Sequence, residues 1–489
     1  MIEVFYITLL LVSAYFIGKR HFSFLHPLMV PSLLVGKFLY AVFFLFVFSY
    51  HYGGGVLTED AGAFFKEAKI LYEVFFIDPN AYFTFITGIG ETQELIDHYL
   101  DATTHWNSPE RFFPNDSRNV IRLNSLLLFL TQGSIFSQFL LFSFVTFLGS
   151  LDLFQWLRKK SNLPPLFSLL LLTLLPSIAF WGSSVIKEPM VILGLCLVFR
   201  ATFDQINWKR KIWRWVIGFS LMLLFKPYVL TVLFPALLFY VFSHYVFKNK
   251  VFLSLIVFSG ITLAGSALTG HLDKAVRLIS RQQEDFINVR DGGLFLDVDD
   301  DHMLYVYFEN RKNFEFKHGQ AILKEPTGAV LRKKSSYRAI EKKKLEEIGK
   351  AYPIYLTMTG AESGIPVTRI DNSLPVMILM IPETLFNTML RPLPTDNGSW
   401  LKHLAHLENL LLLALYVFAL FIFPKKLEKD QLRTATSLVF FSLMLFIIVG
   451  WTTPVTGAIV RYKAPGVLAM VIVVILKLKK IPRLSFIRR

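Results

Sequence analysis

Leu166 to Phe199 reads LFSLLLLTLLPSIAFWGSSVIKEPMVILGLCLVF: two apolar runs joined by a short polar turn in which a lysine, a glutamate and a proline stand side by side. Runs of this length are what crossing a hydrocarbon layer requires. Pro189 suits the first turn of the returning helix, where its missing N–H costs no hydrogen bond. Lys187 and Glu188 are therefore expected at a membrane boundary.

Similar stretches, of 14 to 25 residues and read as crossings of about 30 Å of hydrocarbon, recur along the chain. They lie near 2–17, 31–50, 132–156, 164–182, 186–203, 212–225, 227–243, 251–269, 403–423, 434–450 and 464–478. The composition agrees: 54% of the 489 residues are hydrophobic, 18% are charged and the mean hydropathy is +0.49. The expected fold is an all-α polytopic membrane protein with about eleven transmembrane helices. The opening segment, followed by Lys19 and Arg20, has no basic leader and no small-residue cleavage site, and reads as a retained helix.

A net charge of +15 would suggest nucleic acid in a soluble chain. In a membrane protein it points instead to basic cytoplasmic connections. With the amino terminus outside, every short basic cluster falls inside: Lys19 and Arg20; Arg158 to Lys160; Lys209 to Lys211 with Arg214; Lys248 and Lys250; Lys425, Lys426, Lys429 and Arg433; and a carboxy-terminal tail from Lys477 to Arg489. The chain is thus read as a multi-pass protein with its carboxy terminus in the cytoplasm. Its single cysteine, Cys196, excludes an intrachain disulfide.

Five segments follow: 1–50, two helices; 51–120, an outer loop; 121–269, central helices; 270–401, a second outer region; and 402–489, the last helices and basic tail. The first outer loop holds eleven acids against four bases between His51 and Val120. Phe64, Ala68, Leu71 and Phe75 form one stripe of an amphipathic helix there. The second region balances eighteen acids with eighteen bases between 271 and 401. Within it, VRDGGLFLDVDDDHMLYVYF suggests short strands and RKKSSYRAIEKKKLEEIGKAY a charged helix. The stretch 372–394, broken by Pro375, Pro382 and Pro392, suggests a re-entrant or interfacial helix pair.

Candidate site residues are those whose charge is costly where it stands. Glu59 and Asp60 follow GGGVLT and open the amphipathic helix; they suit a general base toward a hydroxyl, or in Asp60 a divalent-cation ligand, and equally suit helix capping. Arg122, Lys187, Lys226, Arg391, Arg461 and Lys463 lie beside apolar helices on the expected outer side. An intramembrane arginine costs on the order of 2.5–3.5 kcal/mol on insertion scales, so an anionic partner is expected. That partner is a lipid head group or a substrate phosphate, which several converging bases would hold. Glu188 would orient Lys187 or bind sugar, and His403, with His406 and Glu408, forms a possible polar cluster or interface anchor. No HExxH, Walker loop, GxGxxG after a strand or GxSxG occurs.

The motif TEDAGAFFKEA after an early helix, with a second outer region later, resembles the C-type (GT-C) superfamily of integral membrane glycosyltransferases. SSVIKEP and GAIVRYKAPG are similar to segments of bacterial envelope-polysaccharide assembly proteins. The resemblance implies a GT-C-like fold and a polyprenyl-linked sugar donor. It also implies a glycan, lipid or protein acceptor, a bacterial inner-membrane location, and a catalytic or metal-binding role for Asp60 or Glu59. It departs from the family in an extra helix before the acidic loop and in Phe64-Phe65 where a tyrosine is usual. A repeat-unit polymerase or O-antigen-ligase-like enzyme working through arginines is the alternative, and a lipid-linked oligosaccharide flippase the third reading.

Overall fold

A computed structural model describes residues 1–489 except 107–114, 318, 335–338, 359, 423, 425 and 479–489. The chain is mostly helical. Among the described residues seven helices are long and apolar enough to cross a membrane, with an eighth if Thr456–Tyr462 and Ala464–Lys477, bent by 50°, form one span. With that pair as one span, eight of the eleven expected stretches are accounted for by length and composition. The other three differ for visible reasons. Residues 164–182 split at Pro176 into Pro165–Thr173 and Pro176–Trp181; Glu188–Phe203 has only 16 residues; and Trp208–Phe225 carries Lys209, Arg210, Lys211 and Arg214 in its first turns.

These shorter helices form the packed centre. Glu188–Phe203 lies against both Trp208–Phe225 and Ile135–Leu157. A Cβ on Gly218 would meet the Gly194 carbonyl oxygen at 2.7 Å, so glycine at this crossing lets the two backbones touch. Such small-residue contacts are what hold helices together where apolar burial cannot discriminate between protein and lipid.

The expectation of an all-α protein is corrected by a seven-stranded antiparallel sheet in the second polar region, in the order β3-β4-β7-β1-β2-β5-β6. Its strands are β1 Leu294–Asp297, β2 His302–Val306, β3 Phe314–Lys317, β4 Gln320–Leu323, β5 Thr327–Lys333, β6 Ala339–Leu345 and β7 Ala351–Thr357. The stretch expected to be a charged helix, 332–352, instead holds the end of β5, the whole of β6 and the start of β7, with a turn at Gly349, φ +87°, between the last two and with 335–338 outside the described residues. Leu345 faces the small sheet core with Leu294, Leu304 and Ala329, while Lys342 to Lys344 are exposed. Lysines on an edge strand block pairing with another chain. The stretch 372–394 forms two short helices, Leu374–Leu379 and Ile381–Met389, each started by a proline.

Contacts separate the bundle into two ends. The sheet end is tied to the first polar loop by Lys333 to Asp101 at 3.0 Å and by Tyr52 to Ser399 at 2.9 Å. At the other end the basic connections meet: Arg158 covers Phe24, Gln431 reaches the Lys160 carbonyl, Lys429 reaches Asn249, and Arg433 the Lys248 carbonyl. Lys425 and most of the basic tail lie outside the described residues.

The native Cys196 is buried, so introduced cysteines report sidedness cleanly. Lys344→Cys and Arg210→Cys, both exposed, are expected to react with an impermeant maleimide from opposite faces of sealed vesicles. Labelling from the same face would refute the two-ended arrangement.

Candidate functional site

Glu188 is the first residue of its helix and only 1% exposed. A carboxylate in such a place needs cationic partners, and it has two. Lys226 Nζ donates to Oε1 at 2.5 Å, and Arg461 donates from Nε to Oε1 at 2.5 Å and from Nη2 to Oε2 at 3.1 Å. Lys226 sits at the hinge between Trp208–Phe225 and Pro227–Tyr245, its ammonium 4.5 Å from the Tyr462 ring centre. Arg461 belongs to the short helix before the last bend and lies beside Trp181 and Tyr462.

The remaining Arg461 nitrogen, Nη1, donates to Asp60 Oδ2 at 2.5 Å. Asp60 is in the first turn of Glu59–Ile77, yet its carboxylate is spent on arginine and Thr58 makes no side-chain cap. Its side chain is 48% exposed, in contrast to Glu188. Burial pushes the Asp60 carboxyl up, but attraction and hydrogen bonding to Arg461, with help from Lys187, outweigh it and hold the group below the usual carboxylate value. Glu59 adopts φ +55°, a left-handed backbone that costs a non-glycine residue strain. Desolvation and then the Asp60 charge push its carboxyl up.

Lys187 does not pair with Glu188, which corrects the expected orienting role. Its Nζ contacts Asp116 Oδ2 at 2.8 Å and Ser117 Oγ at 3.0 Å, at the start of Asp116–Thr131. Burial lowers the ammonium's pKa, and Asp116 opposes it. Glu188, enclosed by two cations, is also unsuited to binding sugar directly. The assembly therefore holds three cations, Lys187, Lys226 and Arg461, and three carboxylates, Asp60, Asp116 and Glu188.

The other sequence candidates lie elsewhere. Arg122 bonds Glu91 at 2.7 Å and the Phe85 carbonyl at 2.6 Å, clamping the first loop together with Arg118. Arg391 pairs with Asp396 at 2.8 Å. Lys463, though two residues from Arg461, donates to Asn409 Oδ1 at 2.7 Å and the Thr388 carbonyl at 3.0 Å. His403 is exposed, whereas Glu408 is buried and accepts from Ser177 N and Oγ. Among the described residues, no three His, Cys, Asp or Glu side chains gather as a metal-holding group, so the cation considered for Asp60 finds no ligand set there. Asp116 and the rings of Tyr228 and Tyr462 are site neighbours that sequence reading missed. The signal for Asp116 was its position opening a helix just ahead of Arg122.

No family model, curated protein or solved structure matches the chain.

Removing one partner from a buried ion pair leaves the other charged and unsolvated. Glu188→Gln is therefore expected to destabilise the protein by about 3–5 kcal/mol, whereas Asp60→Asn, at the exposed edge, should cost about 1 kcal/mol or less. Denaturation midpoints in detergent check the ranking; equal losses would contradict it.

Proposed function

We propose that this chain is a bacterial inner-membrane glycosyltransferase of the GT-C kind, moving a sugar or oligosaccharide from a polyprenyl phosphate or diphosphate to an acceptor hydroxyl during envelope glycan assembly. In this reading the basic end is cytoplasmic and the sheet end, with the amino terminus, faces outward. The observation that carries the proposal is the joining of Asp60, Glu188, Lys226 and Arg461 from sequence positions up to 401 residues apart, with Lys187 near enough for its charge to act on the half-exposed Asp60 carboxylate.

The chemistry follows from the charge balance. Each of the three cations is already ion-paired with a carboxylate, so a donor phosphate has to take over a cation from a carboxylate. The exchangeable contact is Arg461 to Asp60, because Asp60 alone in the Arg461 pair is solvated while Glu188 keeps the guanidinium in place from behind. As Arg461 turns its Nη1 to phosphate, Asp60 loses the attraction that held its pKa down and becomes a stronger base. Asp60 then takes the acceptor hydroxyl proton, the oxygen attacks the anomeric carbon, and the sugar–phosphate bond breaks. The electron pair leaves on the carrier phosphate, whose charge Arg461 and Lys187 stabilise.

Two other readings draw on particular features. The central place of Arg461 suits a polymerase or ligase of lipid-linked repeat units that works without a carboxylate base. Lys37, fully buried within a span and with no hydrogen-bond partner for Nζ among the described residues, suits a flippase.

With a lipid-linked sugar donor, Asp60→Asn and Arg461→Gln are each expected to lower kcat by about 10²–10⁴-fold, while Arg391→Gln leaves transfer unchanged. Full transfer by Asp60→Asn favours the arginine-based polymerase; full transfer by Arg461→Gln removes both enzyme readings. Because Lys187 helps keep Asp60 ionised, the acid limb of the rate profile should move to higher pH in Lys187→Gln. An unmoved limb would detach Asp60 from proton transfer.

A further inference from the structure

A cavity of about 300 Å³ lies toward the basic end, and none of its lining residues belongs to the Asp60–Arg461–Glu188 cluster. Its apolar lining comes from Ile17, Phe22, Leu148, Leu151, Leu193 and Leu197, and its polar lining from Asp152, Gln155 and Arg214. The volume is at the lower end of the roughly 300–1,000 Å³ typical of ligand sites.

Its two side walls do not pack as a pair. Ile2–His21 rests on Met29–Phe46 and Ile135–Leu157, and Trp208–Phe225 rests on Glu188–Phe203 and Pro227–Tyr245. The space between them is floored by Ile135–Leu157 and Glu188–Phe203. Both walls expose large apolar side chains: Phe16, Trp213 and Ile217. The cleft therefore opens sideways, where a membrane protein meets lipid.

The polar part is built. Arg214 grips Asp152 with Nε at 3.3 Å and Nη2 at 3.0 Å, which leaves Nη1 without a hydrogen bond among the described residues. Arg200 binds the same carboxylate and the Asp152 carbonyl, and its Nε faces Asp204 at 3.5 Å. Asp152 is thus matched twice over. Exposed Lys209 and Arg210 open the Arg214 helix, and exposed Lys19 and Arg20 end the opposite wall. Trp208 and Trp213 on the same helix are residues that favour the membrane–water boundary. A mouth flanked by bases above an apolar cleft is suited to an anionic lipid.

We propose that this cleft is a binding site for an anionic glycerophospholipid, with one acyl chain along Leu148, Leu193 and Leu197 and its phosphate accepting from Arg214 Nη1. The site is independent of the glycosyltransferase reading.

The test uses the purified full chain in detergent, with thermal midpoints measured against phosphatidylglycerol, phosphatidylcholine and inorganic phosphate. Phosphatidylglycerol is expected to raise the midpoint of the unsubstituted protein, phosphatidylcholine to raise it less, and inorganic phosphate to leave it unchanged. Arg214→Gln should weaken the phosphatidylglycerol response about tenfold, the loss of one charged hydrogen bond. Leu148→Phe, which narrows the cleft and touches no charge, should weaken it likewise, and decides the matter where Arg214→Gln fails to fold. An equal response to the two lipids, a phosphate response matching phosphatidylglycerol, or undiminished phosphatidylglycerol binding in Leu148→Phe would overturn the proposal.

Discussion

The arrangement turns on one buried carboxylate. Glu188 stands where an apolar helix begins, and its negative charge is tolerable there only because Lys226 and Arg461 arrive to meet it. Those two residues sit at the hinge of one helix pair and at the bend before the final helix, so the carboxylate fixes how three parts of the bundle meet. Buried ion pairs contribute little net stability once desolvation is counted. Their effect here is to specify geometry. Arg461 held on one side by Glu188 has one nitrogen left, and that nitrogen is presented beside Asp60 at the edge of the site.

On the proposed reading, that edge is what separates this cluster from an internal tie. Arg122 with Glu91, and Lys463 with Asn409, are also buried cations with partners, but each has its hydrogen bonds filled within a closed local network. At Asp60 the carboxylate is half open to solvent and its strained neighbour Glu59 is exposed. A site that must exchange an internal partner for a ligand needs such an open member.

Much of this was legible in the chain. Apolar runs gave the membrane class because hydrocarbon length leaves few alternatives, and among the described residues the connections carrying Arg158, Lys160, Lys248 and Arg433 contact their neighbours at one end. Asp60, Lys187, Lys226 and Arg461 stood out because a charge beside apolar helices demands compensation. The same reasoning named Arg122, Arg391 and Lys463, which have protein partners in Glu91, Asp396 and Asn409 away from that cluster. It registers that a partner is needed without telling a substrate from a protein neighbour, and Asp396 lies only five residues from Arg391. Adjacency misled at Glu188: consecutive residues at a helix start point to different sides, so Lys187 turned to Asp116 and Glu188 to Arg461. Strands β1 and β2 fall where short strands were expected, but β6 was hidden because Lys342 to Lys344 all lie at the exposed edge, where strand alternation is masked by charge that a solvated helix would also carry.

In the proposed mechanism the Arg461 guanidinium leaves Asp60 for a carrier phosphate while remaining on Glu188. A cryo-electron microscopy map of the protein with a polyprenyl phosphate bound tests this most directly. Phosphate density is expected within hydrogen-bond distance of Arg461 and Lys187, with Asp60 released and facing the open side and the Glu188 contacts intact. Phosphate density at another place, with Arg461 still on Asp60, would contradict it.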